Sequence, residues 1–363
     1  MADRLNVGDE REGNSVRAEA SFVRIENDKQ MEGQMKDLSR RDFGKSVTVG
    51  ALGGLAASSV ASLAQGQGAS AKSFKRMTTV LRELINGPGV IPAPGVYDPI
   101  TARIAERIGF RCLDLPGSAL GYATCNMHPN QGAEDMAVAT RAITTVVNIP
   151  LIVDVGAGFG EPAHVAHAVK VIEHAGAAGI HLEDQIYPKR FHYHVGTEHT
   201  IDAEAWLDKI RAALEARRDP DFIIVARTDS FATVSFAEGI RRSNRALEVG
   251  AQMIMPSHVA SKEEAMQLPK EINGPINWTH SFGLSLQGLE ATNGSKAGYK
   301  VINYVGGPIQ WSYKAVRDGL MNLKQTGSIG MDPAVWAPIS KEIQEAAGLS
   351  EALAIERATT EKD

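Results

Sequence analysis

From about residue 74 onward, short apolar runs rich in β-branched residues alternate with helix-forming stretches at intervals of about 20 to 50 residues. The runs are Val90 to Tyr97, Cys112 to Pro116, Leu151 to Val155, Gly179 to Glu183, Phe222 to Thr228, Met253 to Pro256, Ile276 to His280 and Lys300 to Val305. Helical patterns lie between them at Pro99 to Ile108, Pro162 to Ala175, Ala203 to Arg217, Phe236 to Val249 and Lys262 to Ile272. Continuous apolar runs mark strands buried on both faces, and each parallel crossover needs a helix. Eight such units predict a closed α/β architecture, the (β/α)8 TIM-type barrel. A doubly wound open sheet is the alternative. It usually has fewer strands and a glycine-rich fingerprint after the first, and neither G-x-G-x-x-G nor a P-loop occurs here. Pro333 to Arg357 reads as extra C-terminal helices that cap the barrel or pack on a neighbour.

With 363 residues, 43% of them hydrophobic, the chain can bury one large core. A net charge of -5 argues against nucleic-acid binding, which needs a clustered basic face. No apolar run is long and pure enough for a stable membrane span. Cys112 and Cys125 are too few for a disulfide framework and read as two free thiols. Residues 1–38 are polar and aperiodic, and are expected to form a disordered leader. Ser39-Arg40-Arg41-Asp42-Phe43-Gly44-Lys45, an apolar stretch from Ser46 to Ala64, and the A-x-A pattern Ala69-Ser70-Ala71 follow in order. Residues 39–71 therefore read as a twin-arginine export signal, placing the mature protein in the periplasm or outside the cell. An amphipathic leader helix that happens to carry two arginines is the alternative. Residues 72–363 form the barrel.

Active sites of such barrels lie at the C-terminal strand ends. Read in order, those ends carry Tyr97-Asp98, Pro116-Gly117-Ser118, Asp154, Glu183-Asp184, Arg227-Thr228-Asp229, Ser257-His258, Asn277 with Thr279-His280, and Gly306-Gly307. Asp98 and Asp229 are equally well explained as caps of the following helices. Asp154 and Glu183 end neighbouring strands at equivalent heights, and hard oxygen donors with open water positions suit Mg2+ or Mn2+. A pair of caps, or a salt bridge to Arg227, is the alternative. Arg227 is a fixed, planar cation suited to clamping a substrate carboxylate. Gly117 and Ser118 offer backbone N–H groups to a second carboxylate or a carbonyl.

Several blocks resemble the isocitrate lyase/phosphoenolpyruvate mutase superfamily, most closely its methylisocitrate-lyase-like and carboxyphosphonate-mutase-like branch. They are Ile149 to Asp154, Ala175 to Gln185, Pro188-Lys189-Arg190, Asp219 to Asp229 and Val249-Gly250-Ala251, and the resemblance spans roughly residues 75–325. It implies a Mg2+-dependent enzyme acting on small α-oxo or α-hydroxy acids through a metal-held enolate, commonly a homotetramer with swapped C-terminal helices. By position it makes Asp154 and Glu183 metal-site residues, and Gly117, Ser118, Arg227, Asn277 and Thr279 substrate contacts.

The departures from the family pattern bear on the reaction. Gly156 replaces the second acid of the metal strand, and the lid reads Lys189-Arg190-Phe191-His192-Tyr193 where the lyases keep a cysteine. Ser257 stands for a glutamate and Gln310 for an arginine, and no acid is evident between Tyr122 and His128. Without the thiol, a histidine near neutral pKa is expected to act as acid or base: His194 on the lid, or His280 on the seventh strand. The bland reading is that either is a loop or surface histidine. A tight transition-metal site in the histidine-rich lid matches no known ligand spacing. The expected function is Mg2+-dependent carbon–carbon cleavage of a small di- or tricarboxylic acid. An oxo-diacid decarboxylase, a phosphonate mutase or hydrolase, and a non-catalytic carboxylate-binding barrel are the alternatives.

Overall fold

A computed structural model of the chain describes residues 75–280 and 297–361. The expected leader and export signal lie outside them. The described chain opens with α1 (Met77–Asn86) and β1 (Ile91–Pro94), then α2 (Pro99–Ile108), β2 (Leu113–Leu115), α3 (Gly117–Thr124) and α4 (Ala133–Thr144). Next come β3 (Leu151–Asp154), α5 (Pro162–His174), β4 (Gly179–Glu183), α6 (Ala203–Ala216) and β5 (Ile223–Thr228). The remainder is α7 (Ser230–Thr233), α8 (Phe236–Glu248), β6 (Met253–Pro256), α9 (Lys262–Glu271), β7 (Asn277–His280), β8 (Val301–Tyr304), α10 (Gly307–Thr326), α11 (Pro333–Ala346) and α12 (Leu349–Thr359).

Every strand pairing is parallel. One sheet has the order β2-β3-β4-β5-β6 and the other β1-β8-β7. Single parallel bridges at Gly95–Asp114 and Ile254–Ile276 join the two, so the eight strands follow one another round a ring in chain order. The expected strands and helices fall within a few residues of those observed. The sequence reading did not resolve α1, α3, α4, α7 or α10. In α3, two glycines within eight residues lower helix propensity.

Side chains alternate across each strand, which divides the core in two. Ile91, Ala93, Ile152, Ile223, Val225, Met253, Met255 and Val301 fill the barrel interior, closed below by Leu81 and Ile85 of α1. Leu113, Leu115, Val153, Ile180, Leu182, Ile224, Ala226, Ile254 and Ile302 point outward onto the helices. The fully buried Trp206 of α6 joins that outer layer, and its indole N–H donates to the Leu182 carbonyl at 3.4 Å. Asp98 is the helix cap that one sequence reading allowed. Its carboxylate accepts the Thr101 N–H at 2.8 Å, Pro99 follows at the first helical position, and Gly109 ends α2 in the left-handed region. Among the described residues, no helix is long and apolar enough to cross a membrane. Cys112 is buried and Cys125 exposed, both as free thiols.

Candidate active site

Because the inward positions recur with period two, the strands send inward side chains near their C-terminal ends to the same end of the ring. Asp114, Asp154, His181, Arg227, Met255 and Thr279 thus converge on one cavity of about 100 Å³. Pro116, Ser118, Tyr193, Ser257, His258 and Trp278 are among the residues that complete its walls. Pockets for drug-sized ligands run from about 300 to 1,000 Å³, so this one is confined to a small ligand.

Asp154 accepts the Gly156 N–H on Oδ1 at 2.8 Å and the Gly117 N–H on Oδ2 at 3.4 Å. Burial opposes its charge, but His128, Lys189 and Arg227 outweigh burial and hold the carboxyl well below its ordinary range. Glu183 is fully buried between two cations: Lys189 Nζ lies 2.8 Å from Oε1 and an Arg227 guanidinium nitrogen 3.0 Å from Oε2. These contacts are ion pairs without hydrogen-bond alignment. The salt bridge to Arg227 that the sequence left open is therefore present. Burial pushes the Glu183 carboxyl up, against the pull of Lys189 and Arg227. Arg227 also lies 3.2 and 3.3 Å from the two oxygens of Asp229, which turns from the following helix to brace the guanidinium. Burial works against the Asp229 charge too, but Arg227 brings its pKa down to about 2.

Below these groups the barrel interior is polar. Asn277 and Asn303 approach His181 Nε2 at 3.0 and 3.4 Å, and His181 Nδ1 stands 3.6 Å from Asp114. Burial, with Arg227 adding to it, lowers His181 to about 4; burial and the Asp154 charge push Asp114 well up. Burial thus disfavours the charged form of both groups.

The lid after β4 contains a short 3-10 helix, Phe191–Val195. Tyr193 lines the cavity, and Lys189 Nζ sits 3.9 Å from its ring centroid. Phe191, which the sequence resemblance set against a cysteine, is 54% exposed and is not among the residues lining the cavity. The N-terminus of α3 has no cap from its own N-cap side chain; its Gly117 N–H is taken by Asp154, and Ser118 lines the cavity.

The structure thus gathers Gly117, Ser118, Asp154, Arg227 and Thr279 around the cavity, with Glu183 behind Arg227 and Asn277 beneath through His181. Two expected acid–base residues fall elsewhere. His280 occupies an outward position of β7, stacked on Tyr304 with centroids 5.3 Å apart, because the inward positions are Asn277 and Thr279. His194 is not among the residues lining the cavity, and its Nδ1 lies 3.4 Å from the Tyr122 hydroxyl.

Sequence reasoning missed His128, which enters from a loop with no periodic signal. The ring is buried against Gly117, where a Cβ would lie 2.4 Å from Nε2, and beside Gly156, where one would lie 3.5 Å away. Burial and the cations Lys189 and Arg227 lower its pKa to about 3. His258, named in the sequence only as a strand-end residue, received no role. It holds a left-handed backbone, φ +58°, costly for a residue with a Cβ, and lines the cavity.

Comparison with known proteins agrees with this geometry. The phosphoenolpyruvate phosphomutase family model matches residues 81–324. A 2-methylisocitrate lyase of Aeropyrum pernix is 36% identical over 260 residues, 70% of this chain and 82% of that protein. An oxaloacetate acetylhydrolase in complex with 3,3-difluorooxalacetate superposes with a TM-score of 0.73 at 27% identity, covering 78% of this chain and 97% of the other. A phosphonopyruvate hydrolase in complex with oxalate and Mg2+ gives a TM-score of 0.71 at 27% identity, covering 79% and 100%. The chain belongs to the phosphoenolpyruvate phosphomutase/isocitrate lyase superfamily, as an α/β-barrel enzyme of carbon–carbon lyase type.

Proposed function

We propose that the cavity cleaves a carbon–carbon bond of a small 2-hydroxy di- or tricarboxylic acid, with a divalent cation, Mg2+ or Mn2+, held at Asp154. One observation carries this reading: an ionised carboxylate, a fixed guanidinium and the N-terminus of α3 face the same small cavity. The donor set suits a hydrated cation. Mg2+ commonly takes only one or two carboxylates and completes its shell with water and substrate oxygens. Asp154 retains lone pairs beyond its two N–H contacts, while Glu183, already ion-paired, would act on the site through water. When bound, the cation would supply Lewis acidity to the substrate oxygens.

The remaining work falls to the chain itself. Arg227, braced by Glu183 and Asp229, receives one substrate carboxylate, and the Ser118 N–H at the start of α3 receives another. In a retro-aldol cleavage the carbinol oxygen gives up its proton and becomes the carbonyl of a 2-oxo acid. The bonding pair stays on the α-carbon of the departing mono- or dicarboxylic acid, which then takes a proton. Tyr193 is the lid residue that lines the cavity and carries an exchangeable proton, so it takes the donor role expected of His194. Adding 2-methylisocitrate or 2,3-dimethylmalate with Mg2+ and following 2-oxo acid release by a coupled dehydrogenase tests the reading. Steady release lost in Arg227→Ala supports it; no release from any such acid refutes it.

A second reading is cleavage of an oxo-diacid, by water or with loss of CO2. The solvent-facing Phe191 favours it, because the lid then lacks a thiol donor.

The assembly proposed is a homo-oligomer, a tetramer by family likeness, with exchanged C-terminal helices. Trp311, Tyr313 and Leu320 of α10 and Trp336 and Ile343 of α11 are exposed. A cavity of about 740 Å³ between α2 and α10 is lined by Ile100, Ile104, Ile108 and Trp311. Light scattering at a monomer mass would refute this assembly. Export through the Arg40-Arg41 segment stays a proposal, tested by recovering the protein from the periplasm and sequencing its N-terminus.

A further inference from the structure

The superfamily's second metal-strand acid is absent at Gly156, and the space beside that glycine is not left to solvent. A Cβ built there would lie 3.5 Å from His128 Nε2 and 3.7 Å from Glu183 Oε1. The two N–H groups that hold Asp154, those of Gly156 and Gly117, are at the same two glycines that flank the imidazole. Nε2 and the Asp154 carboxylate are thus gathered about the same two glycines.

The local sequence builds this placement. Cys125 ends α3 in a left-handed conformation, φ +53°, which turns the chain back. Gly121 lets the returning strand close in, since a Cβ there would be 2.9 Å from the His128 N. A 3-10 turn, His128–Asn130, with Pro129 inside it then fixes the ring. His128 is 6% exposed, and its Nδ1 has no hydrogen-bond partner among the described residues.

We propose that His128 supplies a nitrogen ligand to the divalent cation held at Asp154, replacing the oxygen donor lost at Gly156. This rests on the cation reading above and extends it to a preference. Imidazole favours Fe2+, Co2+ and Zn2+, whereas an all-oxygen set suits Mg2+. The side chains alone do not form a three-ligand cage among the described residues. Two protein donors leave the other positions to water and substrate, as open catalytic sites require.

The test uses the full chain. Isothermal titration with Co2+ and Mg2+ should give Co2+ binding tighter by about tenfold or more, the scale expected when one oxygen donor becomes imidazole. Pulsed electron paramagnetic resonance of the Mn2+-loaded protein should show 14N coupling that shifts on 15N-histidine labelling and vanishes in His128→Ala. The double variant His128→Ala/Gly156→Asp should lose the nitrogen signal and regain Mg2+ affinity. Bound Mn2+ without histidine nitrogen coupling in the unaltered protein overturns the inference and leaves the cation reading standing. Absence of binding by all three metals overturns both.

Discussion

Replacing Arg227 with methionine keeps much of the side-chain volume and removes the charge. The guanidinium stands 3.0 Å from one Glu183 oxygen and 3.2 Å from one Asp229 oxygen. At an effective dielectric near 20, each contact carries about 5 kcal/mol of gross attraction, most of which only offsets desolvation. Removing one partner of a buried pair typically costs about 3–5 kcal/mol, because the other charge is stranded. Here Lys189 still neutralises Glu183 at 2.8 Å and Gln185 still donates to Asp229, which places the loss near the low end. At about 2–4 °C per kcal/mol, the melting temperature should fall by about 6–12 °C. Differential scanning fluorimetry at pH 7.5 reads this directly. The Arg227→Met/Asp229→Asn double variant should recover part of the loss, because the unpaired carboxylate is gone. A shift below about 2 °C in the single variant would refute the claim that Arg227 is the hub of the buried charge network.

Other outcomes follow from the same geometry. His181 has a folded pKa of about 4, lowered chiefly by burial and further by Arg227, against about 6.5 in the unfolded chain. Its contribution to stability is complete above pH 6.5 and is lost as pH falls towards 4, with a slope of about 1.4 kcal/mol per pH unit. His181→Gln should remove that slope in urea denaturation between pH 5 and 6.5; an unchanged slope would count against a buried neutral histidine. Gly117→Ala drives a Cβ to within 2.4 Å of His128 Nε2, so it should cost about 1–3 kcal/mol and weaken divalent-cation binding in titration calorimetry. Tyr193→Phe should cut 2-oxo acid release by about 10² or more, whereas His280→Ala should leave it within a factor of three. Equal effects of the two would remove Tyr193 from the proton-donor role.

The barrel was legible because its strands are apolar on both faces and its helices carry plain start and stop signals, as at Asp98, Pro99 and Gly109. The main acidic and basic groups were legible because the fold sends strand ends to one place. Period two also separates Thr279 from His280, and applying it would have turned His280 outward at once. His181 was hidden inside the run Gly179-Ile180-His181-Leu182-Glu183, where an overall apolar reading masks an inward polar side chain. His128 had no such signal, because its position depends on a left-handed turn at Cys125 and on three glycines, 117, 121 and 156, that leave room for it. Which lid side chain faces the cavity likewise depended on a 3-10 turn that side-chain type does not reveal.

The central claim is that this cavity breaks a carbon–carbon bond and protonates the carbon released. Its most direct test is 1H NMR of the unaltered protein with Mg2+ and 2-methylisocitrate or 2,3-dimethylmalate in D2O. The account predicts a 2-oxo acid and a second acid in equal amounts, the latter bearing one deuterium at the cleaved carbon. A single acid with released CO2, or no turnover of either compound, would contradict it.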